Sequence, residues 1–262
     1  MNNLRGVYTI WYRDILRFWH DKMRMIGSIT LPLLFLFVFG SGLSSRMGFL
    51  GSGVDFAQFM FPGIIGMTVL MSSFMAGVSV VWDREFGFLK EVLVAPISRA
   101  SVAIGKTLGA ATVALLQGII ILLLAPVIGV SLSAWTVLAL LPLMFLLSAS
   151  MGSLGILLAT RIRSMEAFQA VMQMLMFPMV FLSGVFFPPQ GLPSWMSFLV
   201  KINPATYGIT PIRQVLLGAA PDSPFAIDVL GHTMSVWDNV AVLALFGAAM
   251  ILLAMWSFGS QE

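Results

Sequence analysis

The chain has no cysteine, only two histidines, and charges on just 10% of its 262 residues. Soluble domains carry roughly 25% charged residues, so this deficit excludes an ordinary soluble enzyme. The lack of cysteine excludes a disulfide-stapled secreted scaffold. A net charge of +3 on a chain that is 59% hydrophobic excludes intrinsic disorder. What is present is apolar material, with a mean hydropathy of +0.97. The composition is that of an integral membrane protein.

A bilayer core about 30 Å thick requires about 20 predominantly apolar residues per helical crossing. Charge-free runs cover 25–45, 56–82, 107–160, 167–200 and 239–261. The third, 54 residues long, exceeds one crossing and is punctuated at Pro126, Gly129, Ser131 and Ser133, so it reads as two helices joined by a tight turn. The runs lack the ten-residue alternation of membrane strands. The expectation is an all-α membrane protein forming a single transmembrane domain over 1–262, with six spans near 25–45, 56–82, 105–127, 134–160, 165–187 and 238–259.

Basic residues are retained on the cytoplasmic side of short loops. Five precede the first span (Arg5, Arg13, Arg17, Lys22, Arg24), four lie in the second loop (Arg84, Lys90, Arg99, Lys106) and two follow the fourth span (Arg161, Arg163). Only Arg46, Lys201 and Arg213 fall on the other side. Both termini are therefore expected in the cytoplasm, with the chain in the cytoplasmic membrane. Indole side chains favour the two membrane interfaces, and Trp11, Trp19, Trp82 and Trp256 fall at expected inner ends, Trp135, Trp195 and Trp237 at outer ends. The isoelectric point near 9.6 thus reads as topology, not nucleic-acid binding.

The first run is longer than the 7–15 residues of a secretory h-region and ends without a small-x-small cleavage site, so it reads as a retained span. Before it, 1–24 forms an amphipathic pattern. Leu4, Tyr8, Trp11, Ile15, Phe18 and Trp19 share one helical face, and Arg13, Asp14, Arg17, Asp21 and Arg24 the other. Such a helix is expected in the interface plane, aromatic face in lipid and basic face toward anionic headgroups. It serves either as a topology anchor or in gating or partner contact.

Two segments stand out. The loop 83–100 holds Phe86, Phe88, Leu89, Val92 and Leu93 among three acids and three bases. Apolar residues in a loop call for cover, which a short amphipathic helix ending near Pro96 would obtain from the membrane or from another protein. The second segment, 188–220, carries apolar stretches too short to span, bounded by Pro188-Pro189, Pro193, Asn203-Pro204 and Pro211. They read as two half-helices that enter the outer leaflet and return, since broken backbone survives at membrane depth only where protein or water satisfies it.

The loop REFGFLKEVLVAPISR, followed by FLSGVFFPP, LPSW, NPATY and R-x-x-L-x-G in that order, resembles the ABC type-2 exporter permeases. These are the membrane subunits of drug, polyketide and lipo-oligosaccharide exporters of the daunorubicin-resistance and nodulation-factor kinds. The resemblance covers nearly the whole chain. It implies that 83–100 is a cytoplasmic coupling helix docking on a separate ATPase, with Arg84, Glu85, Phe86, Gly87, Leu89, Glu91, Pro96 and Arg99 as coupling positions. It also implies external re-entrant helices between spans five and six, involving Pro188, Pro189, Trp195, Asn203, Pro204, Tyr207 and Arg213. Phe88, Lys90 and Ala95 depart from the usual pattern.

Ala100-Ser-Val-Ala-Ile-Gly-Lys-Thr107 fits a relaxed P-loop pattern. It has one glycine, follows no buried strand and runs into a span, so nucleotide binding is not expected there. Lys106 reads as the last inner-face charge before the third span. No catalytic residue, metal site or cofactor is expected on this chain, and ATP and magnesium would bind the partner ATPase. His20 and His232 lie at opposite membrane faces, and no H-E-x-x-H or G-x-S-x-G motif is present.

The function these features imply is that of a permease subunit of an ATP-driven exporter, such as a multidrug efflux system, moving an amphipathic or lipid-like substrate outward. The alternatives are a lipid-linked polysaccharide exporter of the same family and an ion-coupled secondary carrier, although a carrier needs ionisable residues within spans and every acid and base here maps to a span end or loop. Glu166, beside Arg163, is the nearest exception. Met67, Met71 and Met75, and Met172, Met176 and Met179, each lie on one helical face, either as helix-contact filler or as a pathway for varied apolar ligands. Six helices are too few to enclose a wide path, so a homodimer with two ATPase subunits is the expected assembly.

Overall fold

Ser98, Ser133, Ser164 and Asn203 each begin a helix by accepting a backbone N–H from the first turn: Ser101 N at 3.2 Å, Thr136 N at 3.0 Å, Ala167 N at 3.2 Å and Ala205 N at 3.1 Å. Such caps satisfy donors that a helix leaves orphaned at its start. The computed structural model describes residues 2–44, 56–85, 98–162, 164–218, 226–229 and 231–259. Its helices are α1 (Asn2–His20), α2 (Lys22–Ser44), α3 (Phe56–Glu85), α4 (Arg99–Leu122), α5 (Ala134–Arg161), α6 (Met165–Phe181), α7 (Ser194–Ile202), α8 (Pro204–Leu217) and α9 (Val236–Gly259). A 3-10 turn, Ala125–Ile128, separates α4 from α5, and a two-residue antiparallel pairing of β1 (Asp228–Val229) with β2 (His232–Thr233) precedes α9.

The protein is therefore a mostly helical membrane protein. Among the described residues, α3, α4, α5 and α9 are long and apolar enough to cross a bilayer. Helix α6 has 17 residues, and in α2 the apolar stretch is Met25–Val38. Helix α3 is the centre of the bundle, packed against α5, α4, α2, α8 and α6. Its most apolar window is 67% buried, whereas that of α9 is 22% buried and presents Leu245, Leu252 and Trp256 outward. In water such a face would be a large exposed apolar patch; in lipid it is solvated.

Small residues set the closest approaches, as in membrane helix packing generally. A Cβ on Gly77 of α3 would stand 2.5 Å from the Gly155 carbonyl oxygen of α5. The indoles segregate to the bundle's two ends: Trp135, Trp195 and Trp237 at the starts of α5, α7 and α9, and Trp82 and Trp256 near the ends of α3 and α9, all exposed. At the latter end Arg17 lies over the Trp82 ring at 5.4 Å and Arg161 over Trp256 at 5.5 Å.

Two helices differ in extent from the stretches expected to span. The third helix runs over Arg99–Leu122, not 105–127, because Ser98 caps it early and Pro126 turns the chain into the 3-10 segment. The fifth ends at Phe181, not 187, where the chain turns through Gly184 at φ +80°, a left-handed conformation open to glycine. Over 188–220 two short helices form, α7 and α8, broken at Asn203-Pro204.

Candidate functional site

Helix α3 ends in Asp83, Arg84 and Glu85, and α4 begins with Arg99. Of the expected coupling positions, Phe86, Gly87, Leu89, Glu91 and Pro96 lie outside the described residues. The two flanking arginines turn inward. Arg84 donates to the carbonyls of Ala159, Thr160 and Ile162 at 3.2–3.3 Å, closing the C-terminus of α5. Arg99 donates to the Phe258 carbonyl at 3.2 Å, at the C-terminus of α9. A cation at a helix C-terminus pairs with orphaned carbonyls and with the negative end of the helix dipole. Glu85 is exposed, and the Asn3 side chain accepts from Ser98 N at 3.0 Å, bringing the start of α1 to the start of α4.

Lys106 does not act as a simple boundary charge. It lies within α4, 2% exposed, with Nζ 2.8 Å from Asp83 Oδ2, 3.3 Å from Asp14 Oδ1 and 3.0 Å from Ser79 Oγ. Arg13 donates to the same Asp83 oxygen at 2.9 Å. The early start of α4 puts Lys106 beyond its first turn, and a buried ammonium needs counter-ions. Residues 100–107 are helical and this lysine is engaged by carboxylates, which removes the geometry of a phosphate-binding loop.

The same contacts hold α1 against α3 and α4. Its polar residues Arg13 and Asp14 meet Asp83 and Lys106, Ile10 and Phe18 are buried, and Trp11 Nε1 donates to Thr112 Oγ1 at 3.0 Å. Gly105 and Gly109 make room: a Cβ at either would stand 3.0 Å from the Cβ of Ile10 or Asp14. Leu4, Tyr8 and Trp19 keep the outward aromatic face that the pattern implies. Sequence reasoning did not assemble this cluster, although the G-x-x-x-G spacing around Lys106 was a usable signal of a close helix contact.

The two methionine rows part company. Met67 and Met71 of α3 and Met176 of α6 line one cavity of about 100 Å³ with Leu31, Phe35, Phe177, Val180, Phe181 and Phe186, where no side chain is polar. Phe181 lies 5.0 Å from Phe186 between ring centroids, and Phe35 lies 5.5 Å from Phe186. Met172 is buried and Met179 packs on the core. Met75 borders a separate, smaller cavity of about 40 Å³ beneath α1, beside Asp14, Ser72 and Ser79.

The residues of 188–220 organise the opposite end. Asn203 caps α8 and donates from Nδ2 to the Met179 carbonyl at 2.8 Å, Pro204 occupies the first turn, and Tyr207 donates to the Lys201 carbonyl at 2.5 Å. Arg213, 1% exposed, donates to the Gly184 carbonyl at 2.6 Å and lies 4.4 Å over the Phe59 ring. It locks α8 to the loop after α6. Trp195 is exposed on α7, and Pro188 and Pro189 stiffen the loop before it. Glu166 is exposed in the first turn of α6, and its expected neighbour Arg163 lies outside the described residues.

Fold and site together define a helical membrane protein with polar side chains closing several helix ends and a buried ion cluster, and with no group of residues suited to hold a metal ion among those described. It belongs to the ABC-2 type transporter membrane family, whose sequence profile matches residues 5–217. It is 32% identical over 214 residues to the putative transport permease ycf38 of Cyanophora paradoxa, covering 80% of this chain and 73% of that protein. It is 27% identical to nodulation protein J of Rhizobium meliloti (80% and 81% covered) and 26% identical to the inner membrane transport permease YadH of Escherichia coli (80% and 82% covered). Transport permeases are membrane components, not enzymes in their own right.

Proposed function

We propose that this chain is the membrane subunit of an ATP-driven exporter, working as a homodimer with two copies of a separate nucleotide-binding ATPase. In this reading six helices, α2 to α6 and α9, cross the cytoplasmic membrane with both termini inside, and α7 and α8 form a re-entrant cap on the outer side. Segment 83–100 is the coupling helix, with Arg84, Glu85, Phe86, Gly87, Leu89, Glu91, Pro96 and Arg99 at or beside the docking surface. ATP and magnesium belong to the partner.

The observation that carries the substrate class is the cavity between α2, α3 and α6. Its lining is methionine, phenylalanine and aliphatic residues without a polar group. Methionine adapts to varied apolar shapes, and an apolar pocket selects by size and desolvation more than by hydrogen bonding. An amphipathic or lipid-like molecule, entering from the membrane with its polar end in the interface, fits this lining better than a free sugar does.

The test is reconstitution in vesicles with and without the co-purifying ATPase, following a fluorescent lipid-like probe. Export should require both subunits and ATP. Export driven by an ion gradient without the ATPase would favour a secondary carrier instead. Glu91→Arg should keep insertion and assembly but break the link between hydrolysis and transport. Arg84→Glu is a poorer probe of docking because it also uncaps α5.

A further inference from the structure

Asp83 is three residues before segment 86–97, and it is buried at 8% exposure against Arg13 of α1 and Lys106 of α4. Asp14 completes the group from α1, 3.3 Å from Lys106 and 3.6 Å from Arg13. The cluster therefore joins the end of α3, the start of α4 and the N-terminal helix. It contains two basic and two acidic groups, so its formal charges balance.

We propose that Lys106 is the hub of an ion-pair latch that makes α1 a part of the coupling machinery. The latch binds α1 to the end of α3, so that displacement of segment 86–97 is delivered to α1 and α4 as one body instead of being lost by the end of α3 sliding along α1. Three observations carry this. Lys106 is 2% exposed, and its Nζ reaches carboxylates of two other helices and Ser79 Oγ. Gly105 and Gly109 on either side of it let α1 seat against α4 without a side chain between them. The residues flanking the segment grip α5 through Arg84, α9 through Arg99 and the start of α1 through Ser98 and Asn3, and the cluster adds a second tie to α1 at the end of α3. Lys106 acts through Asp14 and Asp83 as a positioning residue.

As a coupling device the latch rests on the exporter reading proposed above, so its test has an arm that needs no transport. The chain has no cysteine, and a Cβ at Gly105 would stand 3.0 Å from that of Ile10, about 0.5 Å closer than the 3.5–4.5 Å of a relaxed disulfide, so a small outward shift of α1 admits the bond. In membranes, Ile10→Cys with Gly105→Cys should cross-link on mild oxidation, and adding Lys106→Asp should slow this by about tenfold or more, because the cluster then holds three acids against one base. The exchanged pair Asp14→Lys with Lys106→Asp keeps two charges of each sign and should restore it. In vesicles with the ATPase, Lys106→Asp should hydrolyse ATP with about tenfold less probe exported per ATP, the exchanged pair should recover the ratio, and the oxidised disulfide should recover it until reduced. Cross-linking indifferent to Lys106→Asp would overturn the latch. Loss of export per ATP that neither the exchange nor the disulfide repairs would overturn its role in coupling. Wild-type protein without ATP-dependent export would sink the exporter reading alone, leaving the cross-linking arm to decide the latch. Should Lys106→Asp fail to accumulate, Asp14→Asn breaks the Asp14–Lys106 contact at a less buried position and leaves Arg13 on Asp83, so it should slow the cross-link and lower export per ATP by a smaller factor, and no change in either would overturn the latch.

Discussion

Arg84 and Arg99 stand at the two ends of one segment and close the C-termini of two different helices, α5 through the carbonyls of 159–162 and α9 through Phe258. The end of α3 and the start of α4 are thereby anchored to parts of the chain that are far away in sequence. Each cap should be separable. Arg84→Met should raise amide hydrogen exchange over 158–162 and Arg99→Met over 255–259, each lowering stability by about 1.5–3 kcal/mol, the usual worth of hydrogen bonds to a charged group. Hydrogen exchange by mass spectrometry distinguishes the two local effects.

Glycine positions in helices offer a matched pair. Gly77→Ala would push a methyl against the Gly155 carbonyl and the Phe168 ring, each 2.5 Å away, and should destabilise by about 1–3 kcal/mol as an overpacked contact does. Gly27→Ala on α2 meets nothing within 4 Å and should stabilise by about 0.5–1 kcal/mol through the lower entropy of the unfolded chain. Thermal unfolding in detergent reads both, with opposite signs.

Arg213 depends on the shape of its head group as well as its charge. The guanidinium is stacked on Phe59 while donating to Gly184, and lysine keeps the charge but not the planar fork. Arg213→Lys should therefore loosen α8 from the loop after α6, costing about 1.5–3 kcal/mol. Limited proteolysis at 182–193 should quicken in step with the loss in melting temperature.

The cavity predicts a steric phenotype. Met71→Trp should fill the space shared with Met67 and Met176 and reduce export of the lipid-like probe while the complex still assembles. Met174→Trp, on the same α6 but 79% exposed, should leave export unchanged. Equal effects of the two would remove the cavity from the pathway.

Much of the fold was legible because burial in lipid leaves the backbone one main solution. A charge-free run as long as 56–82 has to satisfy its own hydrogen bonds, so helix α3 was foreseeable, and the serine punctuation at 131 and 133 stands directly before the start of α5. The helix break at Asn203-Pro204 was equally visible. The neighbours of α1 were less so. Its amphipathic pattern identified two faces, but Arg13 and Asp14 on the polar face are as well suited to a buried counter-charge as to headgroups. Likewise, Met71 and Met75 are one turn apart on α3, yet they border different cavities because α6 covers one and α1 the other.

From sequence alone follow the helical membrane class, the family and the ends at which the indoles lie, since each depends on local composition measured against the thickness of a bilayer. Only the tertiary structure decided which polar groups meet. Asp83 finds Arg13 across 70 positions and Asp14 finds Lys106 across 92, and nothing local specifies such pairs. Periodicity tells a side chain which way to face, but the helix that arrives there is chosen by packing of the whole bundle, and the energy of a buried charge depends on that arrival.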